Sequence, residues 1–191
     1  HTVRAFQECD AISEIVIVTR EDLIIPIGDL CHSMDKVKAV VAGGMSRQES
    51  VSLGLNALSD KCKLAAVQDG ARPLVTWQLI DRVVRAANSY HAAVPVIPVK
   101  DTIKVCNPGL VVSTPDRSTL RAVQTPQVFD FDLLRGALKY AFENGKEITD
   151  DCSAVELLGM SVKTVEGDER NLKVTTPIDL KFAEMLMEEN A

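Results

Sequence analysis

The chain predicts an α/β domain built on a doubly wound, mostly parallel sheet, and three observations carry that prediction. Short β-branched runs alternate with helical stretches along most of the 191 residues, which is the rhythm of βαβ units. That rhythm breaks once, at a hairpin signal within residues 100–123. One apolar strand, Leu64 to Gln68, runs directly into Asp69, Gly70 and Arg72, and ligands in open α/β sheets bind just beyond the carboxyl ends of strands.

The elements follow in order. His1 to Gln7 already has a helix-like pattern, with no strand ahead of it. Glu14 to Thr19 reads as a buried strand, followed by a helical segment to about Ser33 and a strand at Val37 to Ala42. Gly43 and Gly44 break the chain before Arg47 to Ser59, where Val51, Leu53, Leu55 and Leu58 suit an amphipathic helix. Thr76 to Ser89 has Leu79, Ile80, Val83 and Val84 at helical spacing, and Ala92 to Pro98 returns to a strand. Residues 102–106 and 110–114 then flank Asn107, Pro108 and Gly109, a hairpin. Such an arm has little core of its own, so it is expected to pack on a second subunit as a dimerisation arm, or to fold back over its own sheet. Helices are expected over Phe131 to Glu143 and Asp150 to Leu158, and a strand over Val162 to Val165. A last helix begins at Pro177, with Thr175 or Thr176 as its cap. The whole reads as one domain, with no repeats or linkers.

Composition removes several function classes. A net charge of -6 argues against a nucleic-acid surface, which needs a basic patch to neutralise phosphates. The longest apolar runs are far too short for a bilayer span. Five scattered cysteines without a C-x-x-C pair fit neither a disulfide framework nor a zinc site, so a reducing cytoplasm is expected. Neither His32 nor His91 sits in a nucleophile motif; both read as structural, and a hydrolytic triad is poorly supported.

Residues 67–73, VQDGARP, hold the clearest chemistry. Asp69 is suited to a divalent cation, and Arg72, planar and always charged, to a phosphate through a bidentate fork. The same string also reads as an ordinary turn, with glycine permitting positive φ and proline stopping the strand. Lys173, taken alone, reads as a solvated surface charge.

Six ordered segments resolve these alternatives: AGGMSRQESVSLGL (42–55), VQDGARPLV (67–75), PVKDTIK (98–104), TPDRSTLRAVQTPQVF (114–129), ITDDCSAVE (148–156) and VEGDERNLKVTTPIDL (165–180). Together they closely resemble the 2-C-methyl-D-erythritol 4-phosphate cytidylyltransferases of the non-mevalonate isoprenoid pathway. The resemblance implies a Rossmann-like nucleotidyltransferase fold, a homodimer, and cytidylyl transfer from CTP to a sugar-alcohol phosphate with magnesium. The attacking phosphate monoester is already anionic near neutral pH, so no histidine base is needed. Catalysis then consists of holding two polyanions together and neutralising charge in the transition state.

By the same resemblance, Gly43, Gly44 and Ser50 meet the cytidine, Asp69 holds metal and substrate, Ala71 lines the nucleotide, and Arg72 lies near phosphate. Thr102 and Arg117 are expected to reach the neighbouring subunit's site and grip the sugar phosphate. Thr125 and Thr149 are expected to add hydroxyl contacts, and Lys173 to stabilise charge beside the reacting phosphates. The family's glycine-rich loop with its arginine, and a following lysine, are expected ahead of His1, so a chain starting there is expected to be catalytically impaired. Departures from the family pattern are Gln68, where histidine is common, Gly70, where alanine is common, and Met45, where an acid can stand. Two rivals share much of the pattern. Ribitol 5-phosphate cytidylyltransferases tend to read D-S-V-R-P where this chain has D-G-A-R-P, which favours the methylerythritol substrate. A non-catalytic nucleotide-binding relative would have little reason to keep Asp69, Arg72, Arg117 and Lys173.

Overall fold

The computed structural model describes residues 1–189. Its elements, in chain order, are helix α1 (Thr2–Glu8), strand β1 (Ile15–Thr19), a 3-10 turn (Glu21–Leu23), α2 (Ile24–Cys31), β2 (Val37–Ala42), α3 (Arg47–Asn56), β3 (Leu64–Val67), α4 (Trp77–Tyr90) and β4 (Ala92–Pro98). There follow the hairpin β5 (Val105–Asn107) and β6 (Leu110–Ser113), a 3-10 turn (Arg117–Thr119), β7 (Arg121–Val123) and β8 (Gln127–Asp130). The chain continues through α5 (Phe131–Glu143), α6 (Asp151–Glu156), β9 (Lys163–Glu166) and α7 (Pro177–Glu188).

The α/β class holds, but the sheet is mixed. β1 pairs with β2 in parallel, and β4 with β9 in parallel. β8 is antiparallel to both β3 and β4, and β7 is antiparallel to the end of β4. The expectation of a mostly parallel sheet is corrected here because two strands, β7 and β8, lie in a stretch that the sequence shows as a motif with two prolines and two glutamines. Such a stretch carries no clear strand signal, since proline cannot donate to a ladder and buried amides are uncommon. Gln127 and Gln124 are nevertheless buried, each satisfied by hydrogen bonds, and a cis peptide joins Thr125 to Pro126 between the two strands.

Alternation along the strands builds a core on each face. Ala65, Ala92, Val94 and Phe129 face α3, α5 and α6, meeting Leu55, Leu134, Leu138 and Val155. Ala93 and Val128 face the other way, onto Phe6 of α1 and Leu79, Ile80, Val83 and Ala87 of α4. Helices therefore cover both faces, as double winding requires. Between the edges of β1 and β3 that pair with no further strand among the described residues runs a groove of about 1380 Å³, walled by Val16, Val18, Val51, Leu55, Ala66 and Val84. Glycines and polar side chains, described below, stand at its end.

The helices start where local chemistry dictates. Ser46, Thr76, Asp130, Asp150 and Thr176 each accept a backbone N–H at a helix N-terminus, satisfying donors that the first turn leaves orphaned. Thr176 and Asp179 form a complete capping box with Pro177 at the first position. His91 ends α4 at φ 66°, while the ring of His32 meets the carbonyl of Asp29 through Nδ1 at 2.7 Å. The hairpin does not fold back on its own sheet. All residues from 101 to 114 are exposed, with Leu110, Val111 and Val112 at 76%, 61% and 59%. Among the described residues no helix is long and apolar enough to cross a membrane.

Candidate active site

β3 delivers Asp69 two residues past its last paired position, at the end of the groove that Gly43, Gly44, Arg47 and Ser50 also line. The backbone N–H of Asp69 donates to Thr125 Oγ1 at 3.1 Å, which ties the turn after β3 to the turn before β8. The carboxylate faces two cations: Oδ2 is 3.0 Å from Lys173 Nζ and 3.5 Å from Arg72 Nε. Asp69 is 17% exposed and Lys173 46%, so the acid is sheltered while the lysine keeps an open side.

Lys173 reaches this point because residues 167–174 are stitched down on both sides. Gln124 exchanges hydrogen bonds with the backbone of Asp168, its Nε2 donating to the carbonyl at 2.8 Å and its Oε1 accepting from the N–H at 3.1 Å. Asn171 Nδ2 donates to the carbonyl of Thr125 at 2.9 Å, and Val174 N–H donates to the carbonyl of Ala71 at 2.8 Å. Arg72 completes the stitching by donating from Nη1 to the carbonyl of Asn171 at 2.6 Å. Burial lowers the pKa of Arg72, and the nearby Asp69 opposes that shift.

The glycine loop is folded over the start of α3. Gly43 N–H donates to the carbonyl of Thr19, Gly44 N–H to Ser50 Oγ at 3.1 Å, and Met45 N–H to Glu49 Oε2 at 2.7 Å. A Cβ on Gly43 would lie 2.8 Å from Ser50 Oγ, closer than real contacts allow. The constraint at Gly43 is this close approach rather than φ, since the Ser50 hydroxyl would have to move to admit a Cβ.

A family model described as 2-C-methyl-D-erythritol 4-phosphate cytidylyltransferase matches residues 1–189. The chain belongs to that family. The cytidylyltransferase of Symbiobacterium thermophilum is 46% identical over 191 residues, covering all of this chain and 80% of the relative. That of Halalkalibacterium halodurans is 45% identical over 191 residues, covering 99% of this chain and 83% of the relative. Among solved structures, the 4-diphosphocytidyl-2C-methyl-D-erythritol synthase of Anaerococcus prevotii superposes with a TM-score of 0.92 at 29% identity, covering 98% of this chain and 84% of that one. The Thermus thermophilus cytidylyltransferase gives 0.78 at 36% identity, covering 97% and 85%.

Within this cytidylyltransferase-family chain the expected residues fall into three groups. Gly43, Gly44, Ser50 and Asp69 line one groove, with Lys173 and Ala71 tied to its rim. Arg72 and Thr125 adjoin it but are buried, at 9% and 4% exposure. In this structure the Arg72 guanidinium, expected as a phosphate fork, donates to the Asn171 carbonyl and stands beside Asp69. The hydroxyl of Thr125 is likewise engaged by Asp69 N–H rather than turned to solvent. Thr102 and Arg117 form the third group, apart from the groove. Arg117 donates to the carbonyl of Lys100 at 2.6 Å beside a separate shallow depression with Pro98, Asp116 and Arg121. Thr149 is exposed, its hydroxyl 3.1 Å from Ser153 Oγ.

Sequence reasoning missed Gln124, Gln127 and Asn171, which position the named residues. The available signal was their polarity inside otherwise apolar motif segments. Among the described residues no three His, Cys, Asp or Glu side chains converge to hold a metal. Of the two carboxylates that line the groove, Glu14 accepts from Ser59, while Asp69 beside Lys173 offers a hard oxygen that suits magnesium when substrate phosphates supply the other ligands.

Proposed function

We propose that this chain catalyses cytidylyl transfer from CTP to 2-C-methyl-D-erythritol 4-phosphate, in isoprenoid precursor biosynthesis. A phosphate oxygen of the sugar-alcohol phosphate bonds to the α-phosphorus of CTP, and the bond to the pyrophosphate group breaks. Atoms and charge balance without a protein base. The observation that carries this reading is the meeting of Asp69 and Lys173 at the end of a groove that also holds the Gly43 and Gly44 loop.

In this reading the loop N–H groups and Ser50 meet the cytidine, and Ala71 lines the nucleotide. Asp69 would hold a magnesium ion, which when bound neutralises phosphate charge. Lys173 pairs with Asp69 and is open enough to turn toward an incoming phosphate, offsetting charge on the pentavalent phosphorus. Arg72 and Thr125 keep Asp69 and Lys173 in place. Thr149 contributes a hydroxyl from the turn before α6.

The sugar phosphate is gripped across a homodimer. The exposed apolar hairpin supports this, because such a surface calls for a partner, and Thr102 and Arg117 lie at its base, away from their own groove. All five cysteines are free thiols, which fits a cytoplasmic setting.

The test is direct. The protein is incubated with CTP, magnesium and either 2-C-methyl-D-erythritol 4-phosphate or ribitol 5-phosphate, and phosphorus NMR follows pyrophosphate and the CDP-sugar alcohol. Turnover of the methylerythritol substrate is expected. Preference for ribitol phosphate would assign the sister activity, and CTP binding without turnover of either would favour a non-catalytic relative.

A further inference from the structure

One ion pair beside the groove has no part in the chemistry above. Arg47, the first residue of α3, donates from Nη1 and Nη2 to the two carboxylate oxygens of Asp151, at 3.1 and 2.6 Å. Asp151 is the first residue of α6 and its side chain is fully buried, whereas Arg47 is 40% exposed and lines the groove with Gly43, Gly44 and Asp69.

Each end of the pair is anchored to a segment of the site. On the α3 side, the loop 43–46 leads directly into Arg47, with Glu49 and Ser50 accepting the N–H groups of Met45 and Gly44. On the α6 side, Asp150 caps the helix through Ser153 N–H at 2.9 Å, immediately after Thr149. Gln127 joins this end to β8: its Oε1 accepts from Asp151 and Cys152 N–H at 3.0 and 3.1 Å, and its Nε2 donates to Asp150 Oδ2 at 2.9 Å. Two residues before Gln127 stands Thr125, whose hydroxyl holds Asp69 N–H. The nucleotide loop, the Thr149 turn and Asp69 thus share one chain of polar contacts.

We propose that Arg47 and Asp151 form a clamp that positions the Gly43 loop against the Thr149 turn, setting the distance between the nucleotide and sugar-phosphate sides of the groove. The inference rests on the cytidylyl-transfer reading for its consequence, though not for its geometry. A buried ion pair is a weak source of net stability compared with apolar packing, and its best-attested use is to fix register. The bidentate arrangement also selects arginine, because a lysine ammonium cannot present two parallel donors to both oxygens. Arg47 and Asp151 are positioning residues, acting through the segments they hold.

Hydrogen exchange on the whole chain tests the clamp without reference to catalysis, using Arg47→Ala, Arg47→Lys and the near-isosteric Asp151→Asn. Either Arg47→Ala or Asp151→Asn is expected to speed exchange about tenfold in both 43–50 and 149–156, leaving α4 unchanged. Arg47→Lys should fall between wild type and Arg47→Ala. Faster exchange only in the substituted segment, or equally throughout the chain, would overturn the proposal. In steady-state kinetics the KM values for CTP and the sugar phosphate should rise together in Arg47→Ala and recover in part in Arg47→Lys. A rise in one KM alone would count against the clamp. Absence of turnover in the wild-type protein would sink the functional reading, while the exchange result would still decide the clamp.

Discussion

Lys173 Nζ stands 3.0 Å from Asp69 Oδ2, although the two residues belong to different loops far apart in the chain. The pair sets a sheltered acid against a more open base at the mouth of a groove. Charge is therefore in place before an anionic substrate arrives, which is the condition for electrostatic preorganisation.

Replacing either member should separate chemistry from folding. Asp69→Asn and Lys173→Ala are each expected to lower kcat by about 100-fold or more, with thermal unfolding within a few degrees of wild type. Unaltered turnover in Asp69→Asn would remove the metal and substrate role assigned to it.

Arg72 should behave differently, because its side chain is 11% exposed and holds the segment that carries Lys173. Arg72→Ala leaves the Asn171 carbonyl without that donor, and a loss of about 1–3 kcal/mol in stability is expected from chemical denaturation. Turnover should fall as well, since Lys173 loses its support. A fully stable Arg72→Ala protein with weakened phosphate binding would instead favour the phosphate-fork reading.

Gly43→Ala places a Cβ 2.8 Å from Ser50 Oγ. The hydroxyl must then shift away from Gly44 N–H, so KM for CTP is expected to rise about tenfold with little change for the sugar phosphate. Equal KM values in wild type and variant would show that the loop does not meet the nucleotide.

The cross-subunit grip is open to complementation. Mixed dimers of Asp69→Ala and Arg117→Ala subunits contain one site with both wild-type residues, provided Arg117 acts on its neighbour. Partial recovery of activity is expected on mixing, read against each parent alone. Confirmed heterodimers without recovery would place Arg117 in its own subunit's chemistry or in none.

The capping box of α7 carries a pH signature. Backbone N–H donation from Thr175, with the side-chain bonds of both threonines, lowers the Asp179 carboxyl from its ordinary value to about 2. A carboxyl depressed on folding stabilises the fold above its unfolded value and loses that contribution as pH falls through its folded value. Asp179→Ala should therefore lower Tm by about 2–4 °C at neutral pH, and the gap should close between about pH 4 and pH 2. A constant gap down to pH 2 would contradict the charge-based cap.

Much of this protein is written locally. Period-two and period-3.6 patterning placed β1, β2, β4, α4 and α5 within a residue or two, because each buries a continuous apolar face that its own spacing reveals. The turn residues Pro108 and Gly109 announced the hairpin, and Thr176 with Pro177 announced α7. The end of β3 was enough to single out Asp69, whereas the Gly43 loop and Lys173 were named only through the family resemblance. Only the tertiary structure decided that β8 runs antiparallel between β3 and β4, because strand direction depends on long-range pairing and the buried amides of Gln124 and Gln127 disguise the strand. The same long-range packing buried Arg72 beside Asp69 and set its guanidinium on the Asn171 carbonyl. It also joined Arg47 to Asp151, 104 residues away. A sequence displays which groups carry charge, but burial and partners determine whether a charge meets substrate or holds the chain that does.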